Sequence, residues 1–336
     1  MTTMVMALAQ LRNSTTGWIA NKGGGDFFSW PNWDEETYPE IQDLVLIPLF
    51  AILFTTLRFF LDKFVFELLG RRCIFHGQNG PGNIKKAGVM TLGADTDRAQ
   101  KKLTKFKESA WKCVYYSAAE IFALAITYNE PWFTDSKMFW LGSGEQRWPN
   151  LMTRLKLKVL YGFAGGFYMY SIFALIFWET RRADFGVSMS HHIAALVLIV
   201  FSYLARFARV GSVVLAIHDA SDVFLEIGKL TKYYGWEIVP SIVFVIFAIS
   251  WVVLRLIYFP LHVIWSTSYE VLQLLDRSYK QGPVLYYIFN TLLISLFVLH
   301  IYWWILIFRM IVKQVEARGR VSDDVRSDDD DSDKED

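Results

Sequence analysis

The sequence predicts an all-α, polytopic membrane bundle of about seven helices. Three observations predict it: 53% of the 336 residues are apolar, most of these gather in seven runs, and the densest basic surplus falls between the first two runs. The runs are mostly about 18 to 26 residues long, and an α-helix needs about 20 to cross a hydrocarbon core of about 30 Å. By approximate limits they are 45–64, 111–128, 157–178, 192–205, 210–228, 239–264 and 284–308. The 34 basic and 33 acidic residues nearly cancel, so net charge says nothing about partners. Nucleic acid is not expected among them.

The elements follow in order. Residues 1–43 form an amino-terminal segment whose short apolar stretch lacks preceding basic residues, so a cleaved signal peptide is not expected. Glycines 23–25 mark a loop within it, and Asn13-Ser14-Thr15 is a sequon that makes Asn13 a glycosylation candidate. The first spanning helix takes residues 44–68. From Arg58 to Lys112 there are twelve Lys and Arg against five Asp and Glu, and the positive-inside rule puts this segment in the cytosol and the amino terminus in the lumen. A basic loop is expected over 69–104, broken by the Gly- and Pro-bearing stretch 77–93. Its Lys101, Lys102, Lys105 and Lys107 suit anionic headgroups or the phosphates of a carrier such as CoA, or simply set topology.

Cys73 and Cys113 fall beside this basic sequence, where thiols stay reduced. Seven crossings return the carboxyl terminus to the cytosol, and Arg309, Lys313, Arg318 and Arg320 fit that side. The tail, residues 313–336, becomes an acidic block with almost nothing apolar to bury, hence disordered. Ser322, Ser327 and Ser332 each precede acidic residues and are phosphorylation candidates for an acidophilic kinase.

The fourth and fifth runs carry the informative residues. A mid-helix charge costs about 2.5 to 3.5 kcal/mol on insertion scales, so an intramembrane cluster is a functional-site hypothesis. In the fifth run His218, Asp222 and Glu226 recur every four residues, and Asp219 and Lys229 share their helical face. With the reversal between the two runs centred near Ala208, His191 and His192 stand level with Glu226 and about three residues from Asp222. One histidine then faces the acids while its neighbour, about 100° away around the helix, points elsewhere. The bland alternative is a set of paired charges that ties helices together. Imidazole beside carboxylate favours proton transfer. The same side chains are zinc-ligand types, but adjacent histidines on one helix chelate a single ion poorly, so no metal is expected.

At these residues the sequence resembles the longevity-assurance type of ceramide synthase, within the TLC-domain membrane proteins. The resemblance rests on KFKESAWK at 105–112, the pair His191-His192, SYLARFARVG at 202–211, HDASDVFLEIGK at 218–229, RLIYFP at 255–260 and LHIYWWILIFRM at 299–310. It spans a catalytic membrane domain over 105–312, and the ETRRADFGVS stretch and acidic tail look most like the plant branch. Arg206 stands where many members have Asn, and Ala195 where Thr is expected.

The resemblance implies transfer of a fatty acyl group from acyl-CoA to the amine of a sphingoid long-chain base, in the endoplasmic reticulum membrane. It implies His191, His192, Asp219 and Asp222 as catalytic residues, with His218, Glu226, Arg181 and Arg182 as substrate-binding candidates. The two arginines suit CoA phosphates at the cytosolic mouth, or serve only as flanking charges. Acyl-CoA is a co-substrate and no permanently bound cofactor is expected; membrane lipid and a homo- or heterodimer partner complete the expected contacts. A histidine acts as base toward the amine, or attacks the thioester first to form an acyl-imidazole. The other function classes are a non-enzymatic TLC-domain protein that senses lipid or attends a translocon, and an intramembrane zinc hydrolase. The plant likeness inclines the acyl preference toward very long chains.

Overall fold

The computed structural model describes residues 31–76, 91–142, 144, 146–236, 238–274 and 280–316. Asn13, glycines 23–25, the stretch 77–90 and Ser322, Ser327 and Ser332 lie outside the described residues. Within them run seven long helices: α1 (Ile41–Ile74), α2 (Thr91–Thr127), α3 (Leu155–Phe177), α4 (Phe185–Leu204), α5 (Ala208–Tyr233), α6 (Val239–Leu274) and α7 (Gly282–Glu316). Each contains one of the seven apolar runs or most of it. Five of them, all but α2 and α5, are long and apolar enough to cross a membrane. The chain is thus a multi-pass, all-α membrane protein. The described β-structure is minor: Glu36–Thr37 pairs antiparallel with Thr153–Arg154 just before α3.

The segment 69–104, expected as a loop, is helical at both ends, since α1 runs on to Ile74 and α2 starts at Thr91. The reason is an amphipathic period: Ala99, Leu103 and Phe106 recur on one buried face, while Lys101 and Lys102 stay exposed. Leu103 and Phe106 close against Gly70, which leaves no room for a β-carbon.

Helix α1 packs along α3, α2 along α5, α5 along α6, and α3 along α4. The α1–α3 contact is built on small residues, as bundles in lipid require, because lipid tails are as apolar as leucine and only close backbone approach favours protein contact. At Gly166 a β-carbon would overlap Phe50 and come within 2.9 Å of the Ile47 carbonyl oxygen. The outer faces of α1 and α6 carry exposed Leu49, Ile52, Leu53, Ile242, Val245 and Ile249, which suit lipid. The apolar side of α5 meets protein instead: Val213 is fully buried, and Phe224 and Leu225 pack on the α6 cluster around Phe247 and Trp251.

Two devices close the ends of the bundle. Between α2 and α3, three buried tryptophans staple the connecting segment to other elements: Trp132 donates to Ser212 Oγ (3.3 Å), Trp140 to Ser266 Oγ (3.0 Å) and Trp148 to the Ala205 carbonyl (2.8 Å). At the opposite end, Glu179 follows α3 and receives Lys112 Nζ at 2.7 Å and Arg58 Nη1 at 3.3 Å. Arg58 also bonds the Tyr170 hydroxyl and lies 4.6 Å over the Trp178 ring. Every charge there has an opposite neighbour, the condition under which buried ions persist.

Two outcomes are expected. Gly166→Leu should overpack the α1–α3 seam and lower stability by about 1–3 kcal/mol, read as an earlier thermal transition in detergent micelles. Burial pushes the Glu179 carboxyl up, but Lys112 and Arg58 outweigh it and hold its pKa at about 2. Its stabilisation is therefore complete above the ordinary carboxylate range and disappears as pH falls toward about 2. The stability gap between wild type and Glu179→Gln, measured across that range, should close at the acid end.

Candidate active site

The charged face of α5 is where the sequence placed it, but its partners differ. Helix α4 ends at Leu204, and Arg206 adopts φ 64°, the left-handed conformation that closes many helices. Its N–H bonds the Tyr203 carbonyl and that of Phe207 reaches Ser202. The reversal is therefore centred on Arg206 rather than Ala208, which sets His191 level with Ser221 instead of Glu226. Its ring meets His218, nearly parallel at 12° and 6.5 Å between centroids. Asn tolerates the left-handed region better than most residues, so backbone conformation would account for the Asn expected at this position. Arg206 compensates with a bond to the Pro149 carbonyl at 2.7 Å.

The expected contact between a histidine and the acids is not made. Among the described residues no hydrogen bond joins His191 or His192 to Asp219 or Asp222. Asp222 is taken by Arg255 of α6, at 2.5 Å, and the same guanidinium bonds the His218 carbonyl. A full cation outcompetes a neutral imidazole for a buried carboxylate. Arg255 lies in a π-helical stretch, Val252–Ile264, that also contains Pro260. Such local widening recurs at functional sites and frees the backbone around a proline. The Trp251 ring covers the guanidinium at 3.9 Å.

The paired histidines do take different surroundings. His191 packs edge-on against Trp303 of α7 at 5.1 Å and lines a cavity. His192 turns toward the charges of Lys112 and Glu179, and the Tyr168 ring packs against both histidines, at 6.0 Å from His191 and 5.6 Å from His192. The Nδ1 atoms of both are buried without a hydrogen-bond partner.

The cavity occupies about 940 Å³ counting its open mouth. It runs beside α4 from His191 past Ala195, Leu198 and Ile199 to Ser202, roughly 16 Å at about 1.5 Å per residue. Its walls from α5 and α7 are apolar as well, including Val214, Leu293 and Leu296. Ala195, in place of an expected Thr, keeps a hydroxyl out of this wall. The far end is aromatic: Phe207 stacks on Trp148 (5.1 Å) and meets Phe289 edge-on (4.6 Å). An apolar channel headed by imidazole fits a long hydrocarbon chain with a reactive end.

The remaining candidates separate. Glu226 is buried and bound to Lys229 at 2.8 Å, and Arg182 approaches Glu108 at 3.9 Å. Arg181 stacks on Phe185 at 4.4 Å. His218, expected to bind substrate, instead spends both ring nitrogens inside the protein, on the Val214 carbonyl and on His300, each at 2.9 Å. Among the described residues no three His, Cys, Asp or Glu side chains are arranged to hold a metal ion.

Glu120 of α2 escaped the sequence reading. Helices α2 and α5 run antiparallel, with Phe106 meeting Tyr233 and Trp132 meeting Ser212. Glu120 is thereby level with the Asp219–Asp222 stretch, and its Oε2 is buried without a partner. His300 and Trp303 were also missed, since three-residue spacing in an apolar helix carries no signal of what the face meets.

Comparison with known proteins identifies a TLC domain over residues 105–309. The chain is 58% identical over 301 residues to Ceramide synthase 1 LOH3 of Arabidopsis thaliana, covering 88% of this chain and 94% of that protein. It is 57% identical to Ceramide synthase LOH1 of the same plant, over 90% of this chain and 96% of the relative. Human Ceramide synthase 4 is 34% identical across 68% of this chain and 55% of its own length. The half-buried histidine pair, the acid-bearing α5 and the apolar channel all fall inside the matched domain, and the chain belongs to the TLC-domain family, in the branch formed by the plant ceramide synthases.

Proposed function

We propose that this membrane acyltransferase is a sphingoid-base N-acyltransferase that takes its acyl group from acyl-CoA. The observation that carries the reading is a bare imidazole, His191, at the head of an apolar channel. The amine of a long-chain base attacks the thioester carbonyl, the C–N bond forms, the C–S bond breaks, and CoA leaves as a thiol. The incoming ammonium first releases one proton to solvent, which frees the nitrogen lone pair; His191 then accepts the second proton, lost as the C–N bond forms, and returns it to the departing sulfur. The alternative order, with His191 attacking first, uses the same imidazole in the same place.

A sphingoid amine is a cation at neutral pH. Asp219 is buried and, unlike Asp222, has no ion-pair partner among the described residues, so it is the acid that draws the ammonium in. Glu120, at the same level on α2, adds a second acceptor for the polar head of the base. His192 is held as a supporting neighbour, and Arg181 and Arg182 are assigned to the phosphates of CoA at the entrance. The positive-inside charge pattern supports seven crossings of the endoplasmic reticulum membrane, with the amino terminus lumenal and the carboxyl terminus cytosolic.

The acyl tail lies along α4. An extended chain advances roughly 1.2 Å per bond, so the channel accommodates about a dozen carbons before its aromatic end. A very-long-chain tail, the preference proposed for this branch, has to pass or displace that wall.

Two experiments test this. In membranes supplied with acyl-CoA and long-chain base, His191→Ala should lose about a hundredfold or more of the ceramide-forming rate. Asp219→Asn should raise KM for the base more than KM for acyl-CoA; undiminished rates in both variants would remove the assignment. Phe289→Ala should shift the product profile toward longer acyl chains, and an unchanged profile would mean the tail lies elsewhere.

A further inference from the structure

His300 is fully buried in α7, surrounded by Trp251, Phe259 and His218. Its Nε2 lies 2.9 Å from Nε2 of His218, and its Nδ1 has no partner. A leucine would fill an apolar core position without leaving a polar nitrogen unsatisfied, a penalty of about 1–3 kcal/mol. Something other than packing therefore retains the imidazole.

The hydrogen bonds fix where the protons are. Nδ1 of His218 sits 2.9 Å from the Val214 carbonyl, which only accepts, so that nitrogen carries the hydrogen. A neutral His218 then has a lone pair on Nε2, and His300 must donate to it through its own Nε2–H. A charged His218 would place a second cation next to Arg255, whose guanidinium already bonds the His218 carbonyl.

This arrangement reaches the reacting group. With both nitrogens engaged, His218 presents only its ring face to His191, nearly parallel. On the other flank Trp303, three residues along the same face of α7, meets His191 edge-on. One helix face therefore sets both walls of the His191 ring.

We propose that His300 is a positioning residue of the acyltransferase: it locks His218 in one neutral tautomer, and His218 with Trp303 aims the His191 imidazole into the acyl channel. The inference rests on the proposed role of His191 as the base. It assigns His300 no contact with either substrate. The charged and titratable groups around His218 are Asp219 and Asp222 on its own helix, Arg255 from α6, His191 from α4 and His300 from α7.

The test compares His300→Leu, which removes the donor, with His300→Gln, whose amide nitrogen can reach the same lone pair. In His300→Leu, kcat should fall about tenfold or more, as misplacement of a catalytic group by a fraction of an ångström does, with KM for both substrates within about threefold. The acid limb of its pH–rate profile should move to lower pH, because the freed Nε2 of His218 takes up a proton and the resulting imidazolium discourages proton uptake by His191. His300→Gln should restore most of kcat and the original profile. Equal losses in the two variants, or fewer assembled molecules with an unmoved profile, would overturn the inference. If His191→Ala stays active, the underlying reading fails; if it is inactive while His300→Leu behaves as wild type, this inference alone fails.

Discussion

The buried pair between Arg255 and Asp222 organises the site. A carboxylate inside a bundle must be matched by a cation, and Arg255 supplies it from a π-helical stretch of α6 that turns the guanidinium toward α5. That one pairing has three consequences. It fastens α6 to α5 through the His218 carbonyl as well as through Asp222, it leaves Asp219 without an ion-pair partner among the described residues, and it leaves the histidine pair without a carboxylate partner there. His191 is therefore left open for the role of base proposed above.

The molecule keeps its polar and apolar work apart along one axis. Charges concentrate around Arg58, Lys112 and Glu179 at one end, and tryptophans close the other. Between them the channel is lined almost wholly by hydrocarbon, so a chain can enter without displacing ion pairs. His191 and Tyr168 stand where the two regimes meet. A thioester has the same division, an apolar tail joined to a polar head at the reacting carbon.

Much of this was legible in the sequence. Seven apolar runs became seven long helices, and five of them, all but α2 and α5, hold within the segment itself the length and apolarity a span requires. The acid-bearing face of α5 was equally plain, since four-residue spacing fixes a common direction. What the spacing could not reveal was depth between helices. Moving the turn from Ala208 to Arg206 displaced His191 by more than a helical turn relative to α5, and only the positive φ of Arg206 locates that turn. Competition for Asp222 was hidden for a related reason: Arg255 is an isolated charge in an apolar run, and its target lies on another helix. Glu120 and His300 were single polar residues with no local partner, and their meaning comes from tertiary neighbours. The helical extension through Ala99, Leu103 and Phe106 was readable as a period, but the surrounding lysines and glycines masked it.

The central claim is that the acyl chain lies between α4, α5 and α7 with its reacting end at His191. The most direct measurement is photocrosslinking with an acyl-CoA carrying a diazirine near the middle of its chain, followed by peptide mapping. The account predicts labels on channel-facing residues such as Leu198, Ile199, Val214 and Leu296. Labels confined to the outward faces of α1 and α6, at residues such as Leu53 or Ile246, would contradict it.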